Sequence, residues 1–385
     1  MKNTTDKKPE LDLPEMHIKI KKERKLSPFE EKLNNFVGKI ARVPFVDKML
    51  FIHHLHIIVK AGLSIMEGLK ILSKETQNRK LKGVIEEIKI EVEKGKQLSE
   101  VLEKYPKIFP SLYVSMISAG ETAGKMEEAL EQVYDQMKKN HDLTSAIRGA
   151  MIYPAVIVIA MIGVGALVVF YILPQILVMF EEFDSELPIT TRFLMWIVDF
   201  SKKYVVLIVI SSIAFITGWI RMLKVLKFKR IIHRINLKLP IAGKIIKKIN
   251  LARFSLTLSS LLKSSIPIID ATIIASEVVG NYTYKDILRY AAENLKKGET
   301  LSSILLNFPD VFPPMVTEMI MVGEETGQSE NMLHELSVYY SDEVDQTMKN
   351  FSTIIEPVII LTLGLGVAGI AVSVLMPMYA MTQNF

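Results

Sequence analysis

The sequence predicts an all-α integral membrane protein with two duplicated cytoplasmic helical bundles and three transmembrane helices. Three observations lead there. The chain states one pattern twice: Gly120-Glu121-Thr122-Ala123-Gly124 returns 203 positions later as Gly323-Glu324-Glu325-Thr326-Gly327. Pro106, Phe109 and Pro110 return at the same offset as Pro309, Phe312 and Pro313, and Gly95 to Ser99 as Gly298 to Ser302. A constant offset from about Phe51/Phe254 onward means two similar folding units with no insertion between them. Second, 49% of the 385 residues are hydrophobic and 23% charged, with a mean hydropathy of +0.27. Those figures coexist because the charges are segregated: 149–180, 204–220 and 357–385 contain none. A helix needs roughly 20 apolar residues to cross the hydrocarbon of a bilayer. Third, apolar residues between these runs recur at the 3–4 spacing of a helix face, with no alternating strand pattern.

The elements follow in order. Residues 1–45 form a Lys/Glu-rich lead, expected to be flexible and cytoplasmic, with a helix start at Ser27-Pro28-Phe29-Glu30. The polar stretch from Lys2 to Lys25 has no apolar core, so no cleavable signal peptide is expected. The first bundle, 46–150, begins with a helix through Leu50, Leu55 and Ile58 that stops at Gly62. Helices follow through Ile65–Leu72, Leu81–Val92, Gln97–Tyr105 and Ser111–Ala119, and a last one from about Lys125 to Ile147. A span at 151–174, an extracytoplasmic linker at 175–203 and a second span at 204–220 come next. The second span is short, but Lys202, Lys203, Tyr204, Trp219 and Arg221 flank it as interfacial anchors. A basic linker at 221–248 leads to the second bundle, 249–356, then a third span at 357–380 and a tail at 381–385. Pro174 and Pro377 mirror each other near the far ends of the first and third spans and are expected to kink or terminate them.

Orientation follows from charge. The linker 175–203 holds Arg192, Lys202 and Lys203 beside five acidic residues. The segment after the second run holds ten basic residues between Arg221 and Lys248. The excess of Lys and Arg places 221–356 in the cytoplasm, and an odd number of spans then places the first bundle there too. The net charge of +5 therefore reads as membrane topology and not as a nucleic-acid footprint, since no binding motif accompanies it. The chain has no Cys, which removes disulfides and thiolate metal sites together.

The candidate sites are few. Gly120, Glu121 and Gly124, with Gly323, Glu324 and Gly327, read as interhelical turns. Their glycines allow close approach or positive φ, and their acids favour the N-terminus of the following helix. A partner contact through Glu121 and Glu324 is the alternative. A phosphate loop is excluded because neither Gly-Lys-Ser/Thr nor a preceding strand is present. Tyr153-Pro154 and Glu356-Pro357 stand where each bundle enters its span, and read as first-turn prolines forming hinges. His53, His54 and His56 have the spacing of a metal face, but Leu256, Thr257 and Ser259 replace them in the second copy, so a polar helix face is the simpler reading. No nucleophile–base pair, zinc helix motif or nucleotide loop appears, so neither an enzyme nor a cofactor is expected. The apolar runs carry no ionisable residue in their interiors, which argues against a transporter or permease.

The duplicated Gly-Glu-x-x-Gly turns, the Tyr153-Pro154 and Glu356-Pro357 junctions, and Pro240-Ile241-Ala242-Gly243 leading to Leu251-Ala252-Arg253-Phe254 carry a resemblance. Over about residues 46–385 the chain resembles the PilC/GspF family, the inner-membrane platform proteins of type IV pilus and type II secretion systems. Ser264-Ser265 departs from the pattern, standing where the first copy has Ala61-Gly62. The resemblance implies cytoplasmic six-helix bundles and a scaffold without enzymatic activity. It further implies location in the cell inner membrane and coupling of a hexameric assembly ATPase to pilin or pseudopilin subunits. Other inner-membrane assembly proteins, membrane lipid and further copies of the chain, as a dimer or higher homo-oligomer, complete the implied partners.

The charge asymmetry makes a direct prediction. Reporter fusions at Asn140 and Asn294 will show cytoplasmic behaviour and a fusion at Glu186 the opposite. Finding the two bundles on different sides would rule out the three-span arrangement.

Overall fold

A computed structural model describes residues 43–172, 174, 189–223 and 225–383. The expected helix start at Ser27-Pro28 and the 175–188 part of the expected linker lie outside these residues. Every element in the described residues is helical. The first unit contains α1 (Phe45–Lys60), α2 (Ile65–Glu75), α3 (Arg79–Glu93), α4 (Leu98–Glu103), α5 (Ser111–Thr122) and α6 (Met126–Leu167), the last continuing as a π-helical segment, Val168–Ile172. Then come α7 (Ile189–Met222) and α8 (Leu226–Lys238). The second unit contains α9 (Ala242–Lys263), α10 (Ile268–Val278), α11 (Tyr282–Leu295), α12 (Leu301–Leu305), α13 (Pro314–Thr326) and α14 (Ser329–Gln383). The starts of α2 to α6 and of α10 to α14 differ by 203 positions in every pair, so the helix order repeats as the sequence does.

Local chemistry explains the repeated starts. Asn78 caps α3, its side-chain oxygen accepting from the Lys80 and Leu81 amides at 3.1 Å each; Asn281 caps α11 in the same way from Thr283 at 2.8 Å. Ser64 and Glu67 form a reciprocal capping box at α2. The turn between α1 and α2 uses Gly62 at φ 86, and its counterpart between α9 and α10 uses Ser265 at φ 60. Ser265 keeps the turn as tight: its amide donates to Leu262 O at 2.8 Å, as Gly62 donates to Val59 O at 2.9 Å. A non-glycine residue pays roughly 1–2 kcal/mol in that region.

The buried residues of the two units repeat one another and join into one continuous core. Leu55, Ile85, Leu102, Phe109 and Leu130 are all essentially inaccessible, as are Leu258, Leu288, Leu305, Phe312 and Leu333 at the repeated positions. Phe51 lies 5.8 Å from Phe109, and Phe254 lies 5.5 Å from Phe312. The copies differ where Tyr284 replaces Leu81. Its ring stands 5.2 Å from Phe312 and its hydroxyl donates to Val311 O at 2.7 Å, so the added polar atom is satisfied. Ala291, two turns along the same helix face, is smaller than its counterpart Ile88 and offsets the added volume.

Three helical stretches are long and apolar enough to cross a membrane: Met126–Ile172, Lys203–Met222 and Ser329–Gly369. None of their most apolar windows is buried within the chain, so these surfaces face something other than the protein's own core. The expected first-turn prolines are not at helix starts. Pro154 lies inside α6 and Pro357 inside α14, because the last helix of each bundle and the span beyond it are one helix. Each proline removes one backbone donor but does not interrupt the element. Similarly, α14 continues past Pro377 to Gln383. Helix α7 begins at Ile189, so the described end of the expected linker is helical, and the helix bends at Tyr204 (φ −115, ψ 18), next to the start of the second apolar stretch.

Candidate functional site

The repeated glycine–glutamate motif is built around the shortest helix in each unit. A six-residue helix such as α4 has nearly as many unsatisfied amides as internal hydrogen bonds. Glu121, in the last turn of α5, supplies what α4 lacks. One carboxylate oxygen accepts from the Leu98 amide at 2.6 Å, and the other accepts from the Ser99 amide at 3.0 Å and the Ser99 hydroxyl at 2.6 Å. Glu324 does the same for α12, accepting from the Leu301 amide at 2.6 Å, the Ser302 amide at 3.2 Å and the Ser302 hydroxyl. The expectation that these acids serve the helix that follows is therefore corrected: each reaches back to a helix 22–23 residues earlier. A carboxylate at a helix N-terminus gains from both charge-assisted hydrogen bonds and the helix dipole, wherever that helix lies in sequence. The signal was present in both copies as Leu-Ser followed 22 residues later by Glu.

The glycines have separate tasks. A Cβ on Gly120 would lie 2.1 Å from Ala129 Cβ, so α5 and α6 cross in contact there. A Cβ on Gly323 would lie 2.8 Å from Ser329 Cα. Gly120 and Gly323 are thus helical residues at the crossing itself, not loop residues. Gly124 and Gly327 carry the turn itself, at φ 68 and 69 with open space around them. The Lys125 amide closes the first turn on Gly120 O at 2.7 Å, and the Gln328 amide closes the second on Gly323 O at 2.8 Å. The motif is a clamp joining α4, α5 and α6, and again α12, α13 and α14.

Beside the first clamp lies a cleft of about 830 Å³ between the two units. Ser99, Ser118 and Gly120 form one wall and Lys263, Ile266 and Asp270 the other. Around it the units are joined by Ser260 donating to Gln136 at 2.7 Å, Ser264 to Gln132 at 2.6 Å and Ser111 to Glu277 at 3.2 Å.

The remaining candidates separate. Tyr153 is exposed on α6 and Pro154 buried, whereas Glu356 and Pro357 are both exposed on α14. His53 stacks on Tyr134 with centroids 4.1 Å apart, and the His56 ring nitrogen lies 3.3 Å from Glu127 O. Burial, then the neighbouring His54, His56 and Lys138, hold His53 below the usual imidazole range. Among the described residues no three His, Asp or Glu side chains are grouped as metal ligands. The basic segment 221–248 is expected from its composition to be a linker. In the structure it forms α8, which docks on the start of α11. The Tyr282 amide donates to His233 Nδ1 at 3.1 Å, Asn281 Nδ2 to His233 O at 3.1 Å, and Arg230 pairs with Asp286 at 2.9 Å. Burial and then Lys229 lower the His233 pKa, which suits a neutral ring accepting at Nδ1.

Comparison with known proteins places these features in context. The family described as type II secretion system (T2SS), protein F matches twice, at residues 51–174 and 254–377. The type IV pilus assembly protein PilC of Thermus thermophilus is 33% identical over 86% of this chain and 82% of its own length. PilC of Myxococcus xanthus is 30% identical over 87% and 80%. The type II secretion system protein F of Aeromonas hydrophila is 29% identical over 85% and 84%.

The clamp geometry predicts an order of damage in the purified full-length protein. Gly120→Ala will lower stability by about 3 kcal/mol through forced separation of α5 and α6. Glu121→Ala will lower it by about 2 kcal/mol through the stranded α4 amides. Gly124→Ala will lower it by about 1 kcal/mol, because only backbone strain opposes it. Thermal unfolding in detergent measures this, and equal effects of the two glycine variants would contradict it.

Proposed function

The chain belongs to the type II secretion system protein F family, and on that premise we propose that it is the inner-membrane platform of a type IV pilus or type II secretion machine. In this reading it couples a hexameric cytoplasmic ATPase to the insertion of pilin or pseudopilin subunits into a filament. It acts without catalysis of its own and as a homo-oligomer, beside other inner-membrane assembly proteins. Both bundles face the cytoplasm, where the motor is, and the apolar stretches offer a surface to the apolar helices of the subunits.

The observation that carries the proposal is helical continuity. Helices α6 and α14 each run unbroken from a bundle core into an apolar stretch, 42 and 55 residues long. A displacement of either bundle therefore reaches the bilayer through a single rod and not through a loop. Tyr153-Pro154 and Glu356-Pro357 mark where the backbone of each rod lacks a donor and bends most readily, which is how they serve as hinges. Helix α8 supports the cytoplasmic placement of its side of the membrane. Its exposed Leu226, Ile231 and Ile235 accompany Lys227, Arg230 and Arg234, a composition suited to an anionic bilayer surface beside α7. A transporter or permease finds no support, since the apolar runs carry no Asp, Glu, Lys, Arg or His in their interiors.

Insertion of three glycines between Arg148 and Gly149 tests the transmission. The variant will still insert and co-purify with the ATPase, but filament assembly or secretion in the complemented deletion strain will fall at least tenfold. Wild-type assembly with the insertion would contradict mechanical transmission, and ATP hydrolysis by the chain purified alone would contradict a platform without catalysis.

A further inference from the structure

The two units do not meet symmetrically. Helices α5 and α6 of the first unit touch α9 and α10 of the second, and α6 also runs against α14, where Gln132 to Lys139 share a small cavity with Glu330 to His334, a stretch that repeats residues 127–131 and not 132–139. Among the described residues the reciprocal pairs, α1 and α2 against α13 and α14, make no contact of comparable extent. A two-fold contact would use the same patch on both units, whereas this one joins unlike patches, the head-to-tail kind that can repeat. Because the units are copies, each carries both patches. The chain is left with one unused patch of each kind: α1–α2 on the first unit, and on the second α13 with the exposed Val338, Tyr339 and Asp342 face of α14, beyond the stretch that meets α6.

The unused patches are more apolar than the used ones. Ile266, in the used α9–α10 patch, is 9% exposed, whereas its repeat counterpart Leu63 is 42% exposed. Ser260 and Gln136, which bond across the units, correspond to Ile57 and Tyr339, exposed by 47% and 43%. Ser118 and Ala119, which line the cleft, correspond to the larger Met321 and Val322, both exposed. Lys139 and Lys263, which line a small cavity with Asp135 and Glu330, correspond to Asp342 and Lys60, so two basic positions become an opposite-charged pair. Each substitution favours the same docking made between two chains.

We propose that a second copy of this chain docks through its α1–α2 patch onto the α13–α14 patch of the first, repeating between chains the contact made within one. Ile57 of one copy then lies against Tyr339 of the next, Leu63 against the groove beside Met321 and Val322, and Lys60 beside Asp342. The groove between α12 and α13, about 300 Å³ and lined by Thr300, Leu306, Met321 and Glu324, is the counterpart of the inter-unit cleft and receives the α1–α2 turn. Membrane insertion is compatible with this operation. In both units the last helix leads onward into an apolar stretch, so repeating the unit-to-unit operation keeps the spans of successive copies on one side. The proposal rests on the reading of the chain as self-associating and adds which faces meet.

The absence of cysteine makes the test direct. Single-cysteine variants Ile57→Cys and Tyr339→Cys are co-expressed as full-length chains carrying different tags and treated in native membranes with a short bismaleimide. The same reagent on Gln136→Cys/Ser260→Cys provides the within-chain control, read by peptide mass spectrometry. The expected result is a heterotypic dimer between the Ile57→Cys and Tyr339→Cys chains, at least fivefold above either homotypic dimer. Lys60→Glu should reduce it and Asp342→Lys in the partner chain restore it. Homotypic dimers alone would overturn the head-to-tail contact while leaving self-association standing. No dimer of any kind, with the control crosslinked, would overturn both.

Discussion

The structure depends on a short helix that cannot satisfy its own amides. Helix α4, and its copy α12, connect the first half of each bundle to the second, yet each has too few turns to hold itself. The carboxylates of Glu121 and Glu324 fix them from the far end of the next helix. That placement requires α5 and α13 to end at a particular height and orientation, which the tight crossings at Gly120 and Gly323 impose. Those crossings in turn set the direction in which α6 and α14 leave the bundle. A hydrogen-bonding requirement of one short segment thus propagates to the angle at which each rod leaves its bundle toward the apolar stretch.

Duplication gives this clamp to both units but allows their surfaces to differ. The cores retain the same buried positions, with compensated exchanges such as Leu81/Tyr284 and Ile88/Ala291. The outer faces have been free to diverge. The contact within the chain combines a continuous apolar core with hydrogen bonds of Ser260 and Ser264 to Gln136 and Gln132. The corresponding exposed faces carry Ile57, Leu63, Val338 and Tyr339. A permanent neighbour in the same chain has high effective concentration and needs little affinity, whereas a separate copy must gain its affinity from apolar burial.

Much of the fold was legible in the sequence because its breaks are made by local chemistry. Gly62, Gly95, Tyr105-Pro106 and Phe109-Pro110 divide the first bundle where turns and helix starts occur, and the second copy breaks at the same places through Ser265, Gly298, Phe308-Pro309 and Phe312-Pro313. The clamp was read only in part. Its glycines were recognised, but the direction of Glu121 depends on a tertiary contact across 22 residues that no helix-capping pattern contains. Pro154 and Pro357 misled for a related reason: a local preference for the first turn was overridden by long helices already stabilised on both sides of the proline. Ser265 shows the same principle, holding φ 60 because the surrounding turn and the Leu261 and Leu262 carbonyls determine it. The helical character of 189–203 was hidden by its mixed charge, which resembles a linker.

Amide hydrogen exchange of the full-length protein in detergent or nanodiscs, with Glu121→Ala compared to wild type, tests the clamp most directly. The account predicts that exchange accelerates at least tenfold in the peptide covering Leu98–Glu103 and spreads to the start of α6, while the peptide covering Leu301–Leu305 in the second unit is unchanged. Unaltered protection of α4 in that variant would contradict it, because the short helix would then be held by something other than the Glu121 carboxylate.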